Sequence, residues 1–169
     1  LTDNRTVPFY DEEFDVPDYP NEHGLAGWLE DDAAMLVYDK YDLWKIDPDG
    51  KRQPERLTRG RESQTTYRYI KLDPEQRSIR PNGSILMHLF NDLTKSEGYT
   101  WLKLDSENVK KLGMLVPFVK EQWGEGFSYT QNVVKARYDD VFLYSKENFT
   151  TFPNLIYASG DVGEKVISN

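Results

Sequence analysis

The sequence predicts an all-β chain built from about three similar units, each containing four short antiparallel strands. Three observations support this prediction. A short ending built around Leu-Thr or a similar pair recurs at positions 1, 57, 112 and 167, so the interval is 55 or 56 residues throughout the 169-residue chain. Every interval holds stretches in which apolar and polar residues alternate and β-branched and aromatic residues are frequent. No stretch has the periodicity of an amphipathic helix.

The strand-like stretches follow one another in the same order in each unit. They are GLAGWLE (24–30), AMLVYD (34–39) and DLWKID (42–47) in the first unit, TYRYIKLD (66–73), SILMHLFN (84–91) and TWLKLD (100–105) in the second, and SYTQNVVKA (128–136), DVFLYSK (140–146) and NLIYAS (154–159) in the third. The recurring ending supplies the fourth strand of each unit. The units therefore span about 3–58, 59–113 and 114–169.

Turn-forming residues separate these stretches. The sequence DPDG at 47–50 suits a tight hairpin turn, because proline fixes φ and glycine accepts a positive φ. Paired aspartates at 31–32 and 139–140 occupy the turn between the first two strands of the first and third units, and PNG at 81–83 ends a longer connection in the second.

Repeated units of four antiparallel strands are typical of β-propeller blades. We therefore predict one partial propeller domain over residues 1–169, with about three four-stranded antiparallel blades. The alternative is a three-repeat β-sandwich or another all-β domain. Propellers have about four to eight blades, and each blade is apolar on both faces. Three blades would leave two apolar faces open, so we expect either further blades of a parent chain or a homodimer with six blades.

Composition excludes several classes of function. The chain carries 21 Lys and Arg against 29 Asp and Glu, a formal net charge of −8, which disfavours a nucleic-acid partner. It has no run of about 18 apolar residues, so we expect no membrane-spanning helix. It has no cysteine and only two histidines, His23 and His88, so disulfides and thiolate sites are excluded and a multi-histidine metal site is disfavoured. We predict no metal and no cofactor.

The stretch 8–60 resembles the N-terminal β-propeller of prolyl oligopeptidase and dipeptidyl aminopeptidase family serine peptidases, closest to large members of the Bacteroidetes type. The pieces that carry the resemblance are AGWLEDD at 26–32, YDLWKIDPDGK at 41–51, the Leu-Thr blade ending at 57–58, FPNLIYAS at 152–159 and the terminal KVISN. The resemblance covers essentially the whole chain and is most specific in the first 60 residues.

The resemblance implies a function. In that family the propeller covers an α/β-hydrolase domain and filters access to its Ser-Asp-His triad. This chain would then be a non-catalytic portion that gates or shapes substrate access to a hydrolase domain outside it, in a periplasmic or otherwise extracytoplasmic protein. The chain has no G-x-S-x-G nucleophile elbow, so we expect no catalytic residue and no enzymatic activity from it alone. Expected partners are the remaining blades, the hydrolase domain and a peptide substrate. The alternative is a stand-alone propeller that binds protein or glycan at the bacterial cell envelope.

Candidate binding residues lie in two loops. Related dipeptidyl aminopeptidases use propeller glutamates to hold a substrate's amino terminus, and Glu12 and Glu13 in the acidic stretch 11–18 are candidates for that role. The alternative is a solvated acidic loop. Trp123, in the glycine-flanked KEQWGEGF, is a candidate for contact with substrate, or else anchors its loop.

The remaining chemistry-bearing residues favour structural roles. Trp44 and Trp101 lie within predicted strands and are expected to pack between blades. The two histidines are expected to be structural. Asp47 begins a stretch that resembles a calcium loop, but its twelfth position is Thr58 rather than glutamate, so a plain hairpin turn is favoured.

Overall fold

Eleven strands form three antiparallel sheets in the computed structural model, which describes residues 7–104, 133–148, 150–159 and 163–168. Within those ranges the only helical pieces are two short 3-10 turns, at Glu30–Asp32 and Arg61–Ser63. The prediction of an all-β chain built from antiparallel sheets is therefore confirmed.

The first sheet is a four-stranded meander in the order β1-β2-β3-β4. Its strands are β1 (Leu25–Trp28), β2 (Met35–Tyr38), β3 (Leu43–Ile46) and β4 (Glu55–Arg56). The predicted hairpin turn at 47–50 joins β3 to β4, and it closes with the Gly50 amide donating to the Asp47 carbonyl at 3.0 Å. Gly50 has φ +69°, the left-handed conformation for which glycine is suited.

The second and third sheets repeat this order. The second has three described strands, β5 (Thr65–Ile70), β6 (Ser84–Asn91) and β7 (Glu97–Lys103), and its predicted fourth strand, around 112–113, lies outside the described residues. The third contains β8 (Val134–Lys135), β9 (Val141–Asn148), β10 (Thr151–Ser159) and β11 (Gly163–Val166), in the order β11-β10-β9-β8.

The second sheet packs against both of the others. Met87 of β6 joins a buried cluster with Leu36 of the first sheet. Its neighbour Leu86 joins a separate cluster with Phe142 and Tyr144 of the third sheet. Successive side chains of a strand point to opposite faces, and Leu86 and Met87 are 1% and 0% exposed. Both faces of the second sheet are therefore buried.

Edge-to-face aromatic pairs reinforce the contact between the second and third sheets. The ring centroids of Trp101 and Phe142 lie 5.6 Å apart, and those of Tyr99 and Tyr144 lie 5.9 Å apart. Such pairs add about 0.5–1.5 kcal/mol beyond the burial of their area. The expectation that Trp101 packs between units is confirmed.

Trp44 differs from that expectation. It pairs with Val37 across β2 and β3, on the face of the first sheet opposite Leu36 and Leu43. There its ring meets Phe9 of the N-terminal segment, with centroids 5.5 Å apart. The outer face of the first sheet, expected to be open, is thus partly covered by residues that precede β1.

The outer face of the third sheet carries apolar side chains. Leu143 and Tyr157 are cross-strand partners, and they point away from the face on which Phe142 packs. Val134 and Leu155 extend this face and are 60% and 41% exposed.

Candidate functional site

Three segments meet at one end of the first sheet. They are the N-terminal segment (9–23), the β2–β3 turn (39–42) and the connection after β4 (57–64). The chain of a meander reverses direction at every turn, so the start of β1, the β2–β3 turn and the end of β4 lie at the same end of the sheet. Their side chains form an ionic cluster, which we call the Asp39–Asp42 cluster.

Asp42 is 0% exposed and accepts hydrogen bonds through both carboxylate oxygens. Oδ1 accepts from the Thr58 hydroxyl at 2.6 Å and from the Gly60 amide at 2.5 Å. Oδ2 accepts from Arg56 Nη2 and Nε at 2.6 and 3.0 Å and from the Arg61 amide at 3.2 Å. These donors offset the cost of burying a carboxylate. Asp42 thereby ties the connection after β4 to the start of β3.

Asp39, also 0% exposed, shapes the turn itself. Its Oδ1 accepts from the backbone amides of Tyr41 and Asp42 at 2.7 and 2.9 Å, and its Oδ2 accepts from the Trp44 indole at 2.7 Å. A side chain that caps its own turn in this way fixes the local backbone. Arg61 approaches Oδ1 at 3.4 Å, which links Asp39 to the next chain segment.

Both predicted binding glutamates lie at this cluster, and each faces a cation. Glu12 contacts two nitrogens of Arg61 at 3.2 and 3.3 Å. Glu13 accepts from Lys40 Nζ at 2.5 Å, and this hydrogen bond raises the pKa of Lys40 above its ordinary value of 10.5. The Glu13 side chain is 74% exposed, whereas that of Glu12 is 27% exposed.

This arrangement limits what the two glutamates can bind. A cationic group reaches either carboxylate only by sharing or displacing Arg61 or Lys40. An exposed ion pair is worth about 0–1 kcal/mol, so replacing Lys40 by another cation at Glu13 costs little. Glu12, in contrast, is held by a bidentate contact with Arg61. A role of either residue in substrate binding stays a prediction.

The two histidines occupy different environments. His23 Nε2 is buried and has no hydrogen-bond partner among the residues that the structure describes. Burial lowers the pKa of His23 below 6.5, and the charge of Arg68 acts in the same direction. His88 Nε2 lies 3.0 Å from Glu97 Oε2, and its ring stacks at a tilt on Tyr99, with centroids 5.6 Å apart.

Two other predicted positions can be placed. Trp123 lies outside the described residues. Asp47 accepts the amides of Asp49 and Arg52, both at 3.1 Å, so it organises the hairpin turn expected there. Within the ranges that the structure describes, no three carboxylate or imidazole groups are arranged to hold a metal ion.

Sequence reasoning missed Asp39 and Asp42 as the centre of the cluster. The Leu-Thr ending was recognised as a repeat marker, but the bond from its Thr58 hydroxyl to Asp42 was not anticipated. The available signal was an Asp-x-x-Asp turn followed, 16 residues after the second aspartate, by the threonine of that ending.

Comparison of the chain with models of known protein families, with curated proteins and with solved structures gave no match. In the described part of the chain, no helix has the length and apolar character needed to cross a membrane.

Proposed function

We propose that this chain is part of a β-propeller that restricts the access of peptides to the hydrolase domain of a prolyl oligopeptidase-like serine peptidase, the hydrolase domain lying outside the chain. The observation that carries the proposal is the burial of both faces of the second sheet. Met87 packs against the first sheet, and Leu86 packs against the third sheet. Successive four-stranded meanders stacked in chain order are the repeating element of a propeller.

The outer face of the third sheet supports the same proposal. Leu143 and Tyr157 are half-buried there, and Val134 and Leu155 on the same face are exposed. A contiguous exposed apolar patch usually marks an interaction surface. We assign this face to a further four-stranded sheet of the same protein, because it continues a stack in which each sheet already packs on the next.

In this proposal the chain contributes walls rather than chemistry. Stacked sheets place their first strands, β1, β5 and β8, at the centre of the assembly, where they border the path to the hydrolase domain. Glu12 and Glu13 remain the candidates for contact with a peptide amino terminus, and Trp123 the candidate for aromatic contact with substrate.

The test uses the natural protein with its complete reading frame. Two peptides with the same scissile bond, of roughly 5 and 30 residues, differ in coil size by about twofold or more. We expect the longer one to be cleaved at least about tenfold more slowly (~1.4 kcal/mol). Leu86→Ala loosens the contact between the second and third sheets and should reduce the ratio of the two cleavage rates. Leu93→Ala, at a turn residue that is 69% exposed, is the matched control and should leave it unchanged.

Two outcomes would overturn the proposal. Hydrolysis of neither peptide would contradict the proposed peptidase role, and binding of protein or glycan without hydrolysis would favour the stand-alone binding module. Equal rates on the two peptides would show that the stacked sheets do not filter substrates.

A further inference from the structure

A cavity lies at the opposite end of the first sheet from the Asp39–Asp42 cluster. The long connection between β5 and β6 folds back onto β1, where the Ile79 amide donates to the Trp28 carbonyl at 2.8 Å and the Ile79 carbonyl accepts from the Glu30 amide at 2.9 Å. A cavity of about 180 Å³ remains between β1, the end of β5 and this connection.

Two of the residues that line this cavity are aromatic. Trp28 of β1 and Tyr69 of β5 both line it. The Tyr69 hydroxyl donates to Gln76 Oε1 at 3.4 Å, and Gln76 Nε2 donates to the Ser78 carbonyl at 2.8 Å. These hydrogen bonds connect β5 to the connection on the other side of the cavity, which is open to solvent on one side.

Two basic residues also line the cavity. Lys71 and Arg77 line the cavity and are exposed. Neither has an ion-pair or hydrogen-bond partner among the described residues, although Arg80 of the same connection lies 3.7 Å from Glu30. Both cations are therefore free of ion pairs within the described part of the chain, although the chain as a whole has a formal net charge of −8.

Two acidic residues of the same connection, Asp73 and Glu75, lie between Lys71 and Arg77 in sequence, and neither lines the cavity or forms an ion pair with these cations among the described residues. Asp73 accepts the Glu75 amide through Oδ1 at 2.9 Å and the Gln76 amide through its carbonyl at 3.1 Å, so it shapes the turn of the connection. It does not line the cavity.

We propose that this cavity binds a carboxylate carried on an aromatic or apolar body, with the ring or chain against Trp28 and Tyr69 and the carboxylate between Lys71 and Arg77. The terminal residue of a peptide and a small free acid share this chemistry. The inference does not rest on the proposed function, because the cavity and both cations belong to the described part of this chain.

The experiment uses the 169-residue chain, labelled with ¹⁵N, and follows the Trp28 indole and the Ser78 amide by NMR. The probes are the tripeptide Ala-Ala-Phe with a free carboxylate, the same tripeptide with an amidated carboxyl end, and benzoate. Ligands of this size bind in about the millimolar range. We expect the free tripeptide to bind at least about fivefold more tightly than the amide, and the difference to shrink as salt is raised.

The variant pair separates a specific site from general charge. Lys71→Gln with Arg77→Gln should weaken binding of the carboxylate by at least about fivefold and leave the amide unaffected. Lys165→Gln with Arg59→Gln removes the same charge from exposed positions that do not line the cavity. This control pair should bind the carboxylate as tightly as the unsubstituted 169-residue chain. Tighter binding of the tripeptide than of benzoate would assign the site to peptide ends, and the reverse to small acids. Equal affinity for acid and amide, or equal losses in both variant pairs, would overturn the proposal.

Discussion

The carboxylate of Asp42 is predicted to be the most sensitive polar group at the first sheet. Asp42→Asn preserves the shape of the side chain and one oxygen, which can still accept from Thr58 and Gly60. The new amide group then faces the Arg56 and Arg61 nitrogens that now donate to Oδ2. Donors would point at donors in a position that is 0% exposed.

The magnitude follows from these contacts. Hydrogen bonds to charged groups are worth about 1.5–3 kcal/mol each, and breaking a buried ion pair costs about 3–5 kcal/mol. Arg56 is 25% exposed and keeps Glu62 at 2.6 Å, so part of its loss is recovered. We therefore expect Asp42→Asn to lower the free energy of unfolding by about 2–4 kcal/mol.

Urea unfolding followed by circular dichroism measures this change. Glu62→Gln is the control, because it removes the 54% exposed partner of the same arginine and should cost about 0–1 kcal/mol. Thr58→Val should cost about 1–3 kcal/mol, and less in the Asp42→Asn background, since the two residues share a hydrogen bond. A loss below about 1 kcal/mol for Asp42→Asn, or one equal to that of Glu62→Gln, would refute the assignment.

Three further predictions concern the stack and its pH dependence. Leu86→Ala and Met87→Ala, although adjacent, should each lower the free energy of unfolding by about 2–5 kcal/mol, and a small loss in either one would mean that the second sheet has a solvent-facing side. Burial lowers the pKa of His23 below 6.5, so the unfolded chain binds more protons and stability should fall as pH drops below about 6.5. His23→Gln should flatten that dependence in urea titrations between about pH 7 and 5, and an unchanged slope would contradict it. Tyr157→Lys should reduce self-association of the 169-residue chain at about 10 μM, measured by sedimentation velocity, without loss of stability. If the unsubstituted 169-residue chain is already monomeric, that result would count against docking on the outer face of the third sheet.

The sequence predicted the strands well because their signal is local. Alternation and turn residues are sufficient to place β6 at 84–91 and the hairpin turn at 47–50, and the adjacent apolar residues Leu86 and Met87 indicate a strand buried on both faces. Such signals depend only on residues that are close together in the sequence, within one strand or turn.

The polar cluster was not predicted because its partners are distant in the chain. Asp42 is buried only because Arg56, Thr58 and Gly60, 14 to 18 residues later, donate to it. The position of Trp44 likewise depends on Phe9, which comes from a segment with no strand signal. Periodicity shows which side of a strand is apolar but not which segment covers it.

The structure of the natural protein with its complete reading frame, determined by cryo-electron microscopy, is the most direct test of the stacked-sheet account. We predict a further four-stranded sheet packed on Leu143 and Tyr157, with its strands at the same spacing of about 10 Å between layers that stacked sheets adopt. Solvent against that face, or a third sheet that continues edge to edge into its neighbour, would contradict the account.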